Sequence, residues 1–124
     1  MMIGMFFYES DSQETDIEWL SDPKSQSNED GVRHLWFTNQ DNDGDGQPSH
    51  KAVLPPSNPT TTEHEYRIDW TKGLVQFYVD GVKMWSTKKD VPSVPGPISI
   101  SKSCNSFART LASSYSSGTT IALS

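Results

Sequence analysis

In the run Gln13-Glu14-Thr15-Asp16-Ile17-Glu18-Trp19-Leu20, a carboxylate stands on every second residue from Glu14 to Glu18. A period of two predicts a β-strand with Glu14, Asp16 and Glu18 on one face and Thr15, Ile17 and Trp19 on the other. Acidic residues are poor strand formers, and like charges aligned on one face repel. The cost of aligning them points to a use for the acids. On the pattern alone, the plainer reading is a solvated acidic face on an edge strand, where it would discourage edge-to-edge aggregation.

The surrounding sequence extends the β pattern. Strands are expected over residues 4–8, 14–20, 32–39, 64–70, 74–79 and 82–86, with a short one at 51–54 stopped by Pro55-Pro56 and a last one ending at Ile98 and Ile100. His64, Tyr66, Ile68 and Trp70 share one face of their segment, and Val75, Phe77 and Val79 share another. Asp80-Gly81 supplies a two-residue hairpin turn whose central positions need positive φ. Polar loops fall at 21–31 and 41–49. No stretch sustains a helical period, so the fold class is all-β, an antiparallel sandwich or jelly roll. The chain of 124 residues suffices for one domain with a modest core. Beyond residue 101 the composition turns abruptly to Ser and Thr. This divides the chain into a domain over 1–101 and a divergent tail over 102–124, expected to pack poorly.

The acidic strand has suitable reach for glycosidic chemistry. At ~3.3 Å per residue, the α-carbons of Glu14 and Glu18 lie ~13 Å apart, and two leaning glutamates bring their carboxyls to roughly 5–7 Å. Retaining glycosidases work at about 5–5.5 Å and inverting ones at about 6.5–9.5 Å, and strand arithmetic leaves both open. Three neighbouring carboxylates cannot all ionise easily, so at least one should hold a proton. A general acid needs that proton and a nucleophile must lack it.

The motif resembles the Glu-x-Asp-x-Glu strand of glycoside hydrolase family 16, of the concanavalin A-like lectin/glucanase fold. Gly4-Met5-Phe6-Phe7-Tyr8 resembles the family's preceding apolar strand, and His34-Leu35-Trp36-Phe37-Thr38-Asn39-Gln40 the next cleft strand of fungal members. His64-Glu65-Tyr66-Arg67-Ile68-Asp69-Trp70-Thr71, Phe77-Tyr78-Val79-Asp80-Gly81 and Pro95-Gly96-Pro97-Ile98 match later segments in order. The resemblance implies a partial concanavalin A-like sandwich of fungal type, truncated at both ends, with similarity over roughly residues 3 to 101. It implies a retaining hydrolase of O-glycosyl bonds in β-glucan-type polysaccharides, with Glu14 the nucleophile, Glu18 the acid/base and Asp16 an electrostatic helper. Trp36, Phe37 and Asn39 are the expected sugar contacts, and an extracellular location is implied. The alternative is a non-catalytic carbohydrate-binding or cell-wall protein of the same fold. Thr15 stands where the family usually has Ile or Val and, facing away from the acids, should be tolerated.

Charge and motifs narrow the partners. A net charge of -6 and a pI near 4.8 argue against nucleic acid and anionic membranes, while a neutral polysaccharide is indifferent to charge. A monomer is expected. Cys104 is the only cysteine, so no disulfide closes within the chain. The apolar start has no basic lead and no small-residue cleavage site, so it reads as a strand rather than a leader or a membrane span. Asp41, Asp43 and Asp45 with Gly46 imitate the start of a calcium loop, but the twelfth position is Ala52 and no flanking helix is expected. The preferred reading is a polar turn, with weak calcium binding as the alternative. His34, His50 and His64 lack zinc-ligand spacing, and His64 is expected on the core face beside Tyr66.

Overall fold

A computed structural model describes residues 2–20, 22, 24, 31–59, 61–94, 96–103, 110–115 and 118–123. The strands are β1 (Met2–Ser10), β2 (Gln13–Leu20), β3 (Leu35–Asn39), β4 (Ser49–Val53), β5 (Tyr66–Thr71), β6 (Leu74–Val79), β7 (Val82–Thr87), β8 (Ile98–Ser103), β9 (Thr110–Tyr115) and β10 (Gly118–Leu123). They form two five-stranded sheets, β4-β3-β2-β1-β8 and β7-β6-β5-β10-β9. Every pairing is antiparallel. No helix occurs among the described residues.

The acidic strand β2 occupies the middle of the first sheet, flanked by β1 and β3. This rules out the edge-strand explanation of its charges. It is held there by its other face: Thr15, Ile17 and Trp19 are buried, as the period of two requires. Met5, Phe7, Ile17, Trp19, Leu35 and Phe37 of the first sheet form one core with Ile68, Val75, Phe77 and Val79 of the second. Phe37 stacks on Phe77 with ring centroids 5.0 Å apart, and Phe7 meets Trp70 at 4.7 Å. Such sheet-on-sheet packing of alternating inward residues defines a sandwich. Each large side chain buried here contributes about 1.5–3 kcal/mol, which offsets the repulsion carried on the opposite face of β2.

Asp80 (φ 50°) and Gly81 (φ 77°) make the expected tight turn between β6 and β7. His64 departs from expectation. Its ring meets Tyr66 edge-on at 6.5 Å, but Nδ1 bonds the Asp80 carboxylate at 2.8 Å and Nε2 the Ser57 carbonyl at 3.0 Å. Two polar partners place it at the rim of the core, where it ties the loop before β5 to the β6–β7 turn.

Strand formation continues past residue 101. β8 extends to Ser103 and pairs with β1, while β9 and β10 form a hairpin whose second strand pairs with β5. Thr119, Ile121 and Leu123 stand opposite Trp70, Ile68 and Tyr66. Composition alone obscures this because Ser and Thr are common in loops, whereas Thr is also a good strand former. Most of the expected polar loop over 21–31, and residues 104–109 of the tail, lie outside the described residues.

A strap over residues 88–94 and 96–97 runs beside β2. Asn39 Nδ2 donates to the Lys89 carbonyl at 3.1 Å, Asn42 Nδ2 to the Val91 carbonyl at 2.7 Å and Trp70 Nε1 to the Pro92 carbonyl at 2.9 Å. Gln13 Oε1 accepts from the backbone N–H of Ser93 at 2.6 Å and of Val94 at 3.2 Å. Gly96 is needed at the far end, where a Cβ would come within 2.6 Å of the Tyr8 carbonyl oxygen.

Candidate active site

The outer face of the first sheet carries the acids. Register sets their neighbours: Glu18 lies between Gly4 of β1 and Trp36 of β3, Asp16 between Phe6 and Thr38, and Tyr8 stands opposite Glu14. Because β1 and β3 both run antiparallel to β2, these residues share its acidic face. Gly4 is buried beneath the Phe6 ring, which folds back over it, and a Cβ there would collide with that ring. Trp36 makes a tilted contact with His50 of β4 at 5.6 Å and an edge contact with His34 at 6.2 Å. The result is a strip of aromatic surface beside a line of carboxyls.

Asp16 is the buried member, with 2% of its surface exposed. Its Oδ2 accepts a hydrogen bond from Gln40 Nε2 at 3.2 Å, and its Oδ1 has no donor. Burial, and then the neighbouring charge of Glu14, push the Asp16 carboxyl up to about 9. Asp16 is thus biased to keep its proton. Glu18 is half-buried and is also raised, by burial first and by the Glu14 charge second. Both shifts run in the direction that crowding of acids predicts.

The three expected sugar contacts separate. Trp36 lies on the acidic face. Phe37 is fully buried against Phe77, and Asn39 is fully buried, accepting from Thr15 Oγ1 at 2.7 Å. Both are buried on the side of β3 opposite the acids. Strand alternation puts Trp36 and Phe37 on opposite faces, and the register sets Trp36 beside Glu18. Phe6, Tyr8, Gln40 and His50 were missed as members of this face. For Phe6 and Tyr8 the signal was present, since they alternate with the core residues Met5 and Phe7.

The Asp41, Asp43 and Asp45 carboxylates lie within 4.8 Å of one another. Asp41 accepts the N–H of Gly44 and of Gly46, each at 2.7 Å, Asp43 that of Asp45 at 3.0 Å and Asp45 that of Gln47 at 2.8 Å. Lys89 Nζ sits 2.7 Å from Asp45, and its hydrogen bond is the main reason Asp45 is held below the usual carboxylate range. These carboxylates cap a tight polar turn, and Asp45 is also paired with Lys89.

The sequence model of the glycosyl hydrolases family 16 matches residues 2–119. The chain belongs to that family. Two proteins named beta-glucanase, from Paenibacillus polymyxa and Paenibacillus macerans, are each 30% identical over 86 residues, covering 68% of this chain and 32% of their own length. The chain thus spans about a third of these curated relatives. No solved structure gives a significant match. As a family 16 chain, its two facing antiparallel sheets form a partial concanavalin A-like jelly roll.

Proposed function

We propose that this chain carries the catalytic strand of a retaining glycoside hydrolase acting on O-glycosyl bonds of β-glucan-type polysaccharides. Glu14 is the nucleophile, Glu18 the acid and then the base, and Asp16 the electrostatic helper. The observation that carries the reading is the shared face of β2, where a buried Asp16 stands between Glu14 and a half-buried Glu18, both Asp16 and Glu18 with weakened acidity. Glu14 attacks the anomeric carbon as the bond to the leaving oxygen breaks, and Glu18 delivers its proton to that oxygen. Water then displaces Glu14 from the glycosyl-enzyme, with Glu18 taking the proton. Trp36 offers an apolar ring next to Glu18 on which a sugar ring can stack.

The beta-glucanase names of the relatives support a β-glucan substrate. An extracellular site of action suits a polymer too large to enter a cell, and a net charge of -6 that repels further copies suits a monomer. Fungal-type affiliation and truncation at both ends belong to the same proposal. They rest on the segments His34–Gln40 and His64–Thr71 and on the 32% share of the relatives' length.

Reducing-sugar release from laminarin, lichenan and agarose tests the proposal, beside Glu14→Gln and Glu18→Gln variants. Release from a β-glucan by the unaltered chain and its loss in both variants supports hydrolysis. Equal release by all three proteins removes the catalytic claim. Retention of a glucan on the folded chain without turnover selects the carbohydrate-binding alternative.

A further inference from the structure

The strap meets the first sheet strand by strand. Asp90 turns the chain into it with φ 54°, and its carboxylate accepts from Ser49 Oγ of β4 at 2.6 Å and from the Asn42 N–H at 3.3 Å. The Lys89 carbonyl accepts from Asn39 of β3, and the Val91 carbonyl from Asn42 just beyond β3. The N–H groups of Ser93 and Val94 donate to Gln13 of β2. The Pro97 carbonyl accepts the Tyr8 N–H of β1 at 3.1 Å, and the chain then enters β8. The contacts therefore follow the spatial order of the strands, β4-β3-β2-β1-β8. All fall at one end of the sheet, where Glu14 stands.

Gln13 closes this belt at its middle. Its Oε1 takes the two backbone N–H groups and the Ser93 hydroxyl at 3.3 Å, and its Nε2 donates to Asn42 Oδ1. Asn42 Nδ2 returns to the strap at Val91, so one pair of amides spans the strap from Val91 to Val94. Residues 91–94 belong to no strand, so side chains must satisfy their backbone. Strand alternation puts Gln13 on the core side with Thr15 and puts Glu14, the next residue, on the outer face. From the β3 side, the Gln40 N–H donates to the Glu14 carbonyl at 3.1 Å.

We propose that Gln13 is a positioning residue that fixes the Glu14 end of the acidic strand to the belt, and so sets how far Glu14 stands from Glu18. The consequence for rate rests on the catalytic reading of the strand, and the placement does not. Glu14 follows Gln13 directly, so a strand end released from the strap lets the Glu14 backbone shift. Glu18, four residues on, stays held between β1 and β3. A nucleophile must sit about 3–3.5 Å from the carbon it attacks, and a misplacement of about 1 Å can cost about a hundredfold in rate. A retaining pair also works over a narrow separation of about 5–5.5 Å. Trp36 lies beside Glu18, away from that shift. Loss of the Gln13 contacts should therefore lower kcat and leave KM nearly unchanged.

The test is amide hydrogen exchange by NMR on the full chain, with lichenan kinetics beside it. In the unaltered chain the Ser93 and Val94 amides should be protected, although both residues are exposed. Gln13→Met, of similar length but with neither donor nor acceptor, should speed exchange at Ser93, Val94 and Gln40 about tenfold, while Ile68 and Phe77 of the second sheet keep their protection. Gln13→Glu, which keeps an acceptor for both N–H groups, should retain most of the protection. On an active chain, kcat should fall about tenfold or more in Gln13→Met with KM within about twofold, and Gln13→Glu should recover most of the rate. Ser93 and Val94 amides that exchange freely in the unaltered chain would overturn the proposal, and this reading needs no variant to fold. So would a Gln40 amide that stays protected in Gln13→Met, or an active Gln13→Met whose kcat is unchanged. Because exchange needs no turnover, an inactive chain with the expected pattern would reject the hydrolase reading and leave the placement of Glu14 by Gln13 standing.

Discussion

Thr15 Oγ1 donates a 2.7 Å hydrogen bond to Asn39 Oδ1, in the buried layer directly behind the acidic face. The Asn39 amide nitrogen continues to the Lys89 carbonyl, so the bond links β2 through β3 to the strap. Thr15 is therefore more than a β-branched filler. Thr15→Val keeps the shape but leaves a buried amide oxygen without its donor, and should cost about 1–3 kcal/mol. Denaturant unfolding of Thr15→Val, Asn39→Ala and the double variant checks this. The two losses should be non-additive, with a coupling of about 0.5–3 kcal/mol.

Phe37 and Trp36 should respond oppositely to truncation. Phe37 is fully buried on Phe77, so Phe37→Ala should destabilise the fold by about 3–5 kcal/mol. Trp36→Ala removes a half-buried ring from the outer face and should leave most of the stability while weakening glucan binding. Thermal melts paired with glucan affinity electrophoresis separate the two effects. A Phe37→Ala chain with unchanged melting would contradict its place in the core.

Asp16 makes the fold pH-sensitive in a definite direction. Its carboxyl is raised from 3.8 to about 9 in the folded chain, so unfolding at neutral pH releases a proton. That contribution to stability is complete below the unfolded value and is lost as pH rises toward about 9. Glu18, also raised, adds to the same trend. Melting temperature should fall from about pH 5 to about pH 9, and Asp16→Asn should flatten the decline while remaining folded. A slope unchanged by Asp16→Asn would mean that Asp16 ionises in the fold like an ordinary aspartate.

The His64–Asp80 pair acts over a different window. Both His64 nitrogens face acceptors, which favours the protonated ring, and its pKa is raised chiefly by the hydrogen bond to Asp80. Its stabilisation is full below about 6.5 and is lost as pH rises through the higher folded value. Asp80 is lowered by His64 and by the Glu65 N–H despite burial, and its share is lost only as pH falls through its folded value. His64→Gln should lower the melting temperature below pH 6 or so and matter little at alkaline pH. A pH-independent loss would show that shape rather than charge holds the turn.

Periodicity made the strands and the face of each acid legible, because a one-residue shift would have put Ile17 and Trp19 in water. Asp80-Gly81 was equally legible, since positive φ restricts residue choice. What stayed hidden depended on register between strands. Nothing local tells that Phe6 lies opposite Asp16, that Trp36 rather than Phe37 borders Glu18, or that Gln40 reaches across to the middle acid. The last strands stayed hidden for another reason: β10 is defined by its pairing with β5, and its Thr-rich composition resembles a linker when taken alone.

The most direct measurement is the proton NMR spectrum of freshly released product from lichenan, recorded before mutarotation. A Glu14 nucleophile beside a proton-donating Glu18 predicts the β-anomer first, and no product from Glu14→Gln. Initial release of the α-anomer, or undiminished release from Glu14→Gln, would contradict the account.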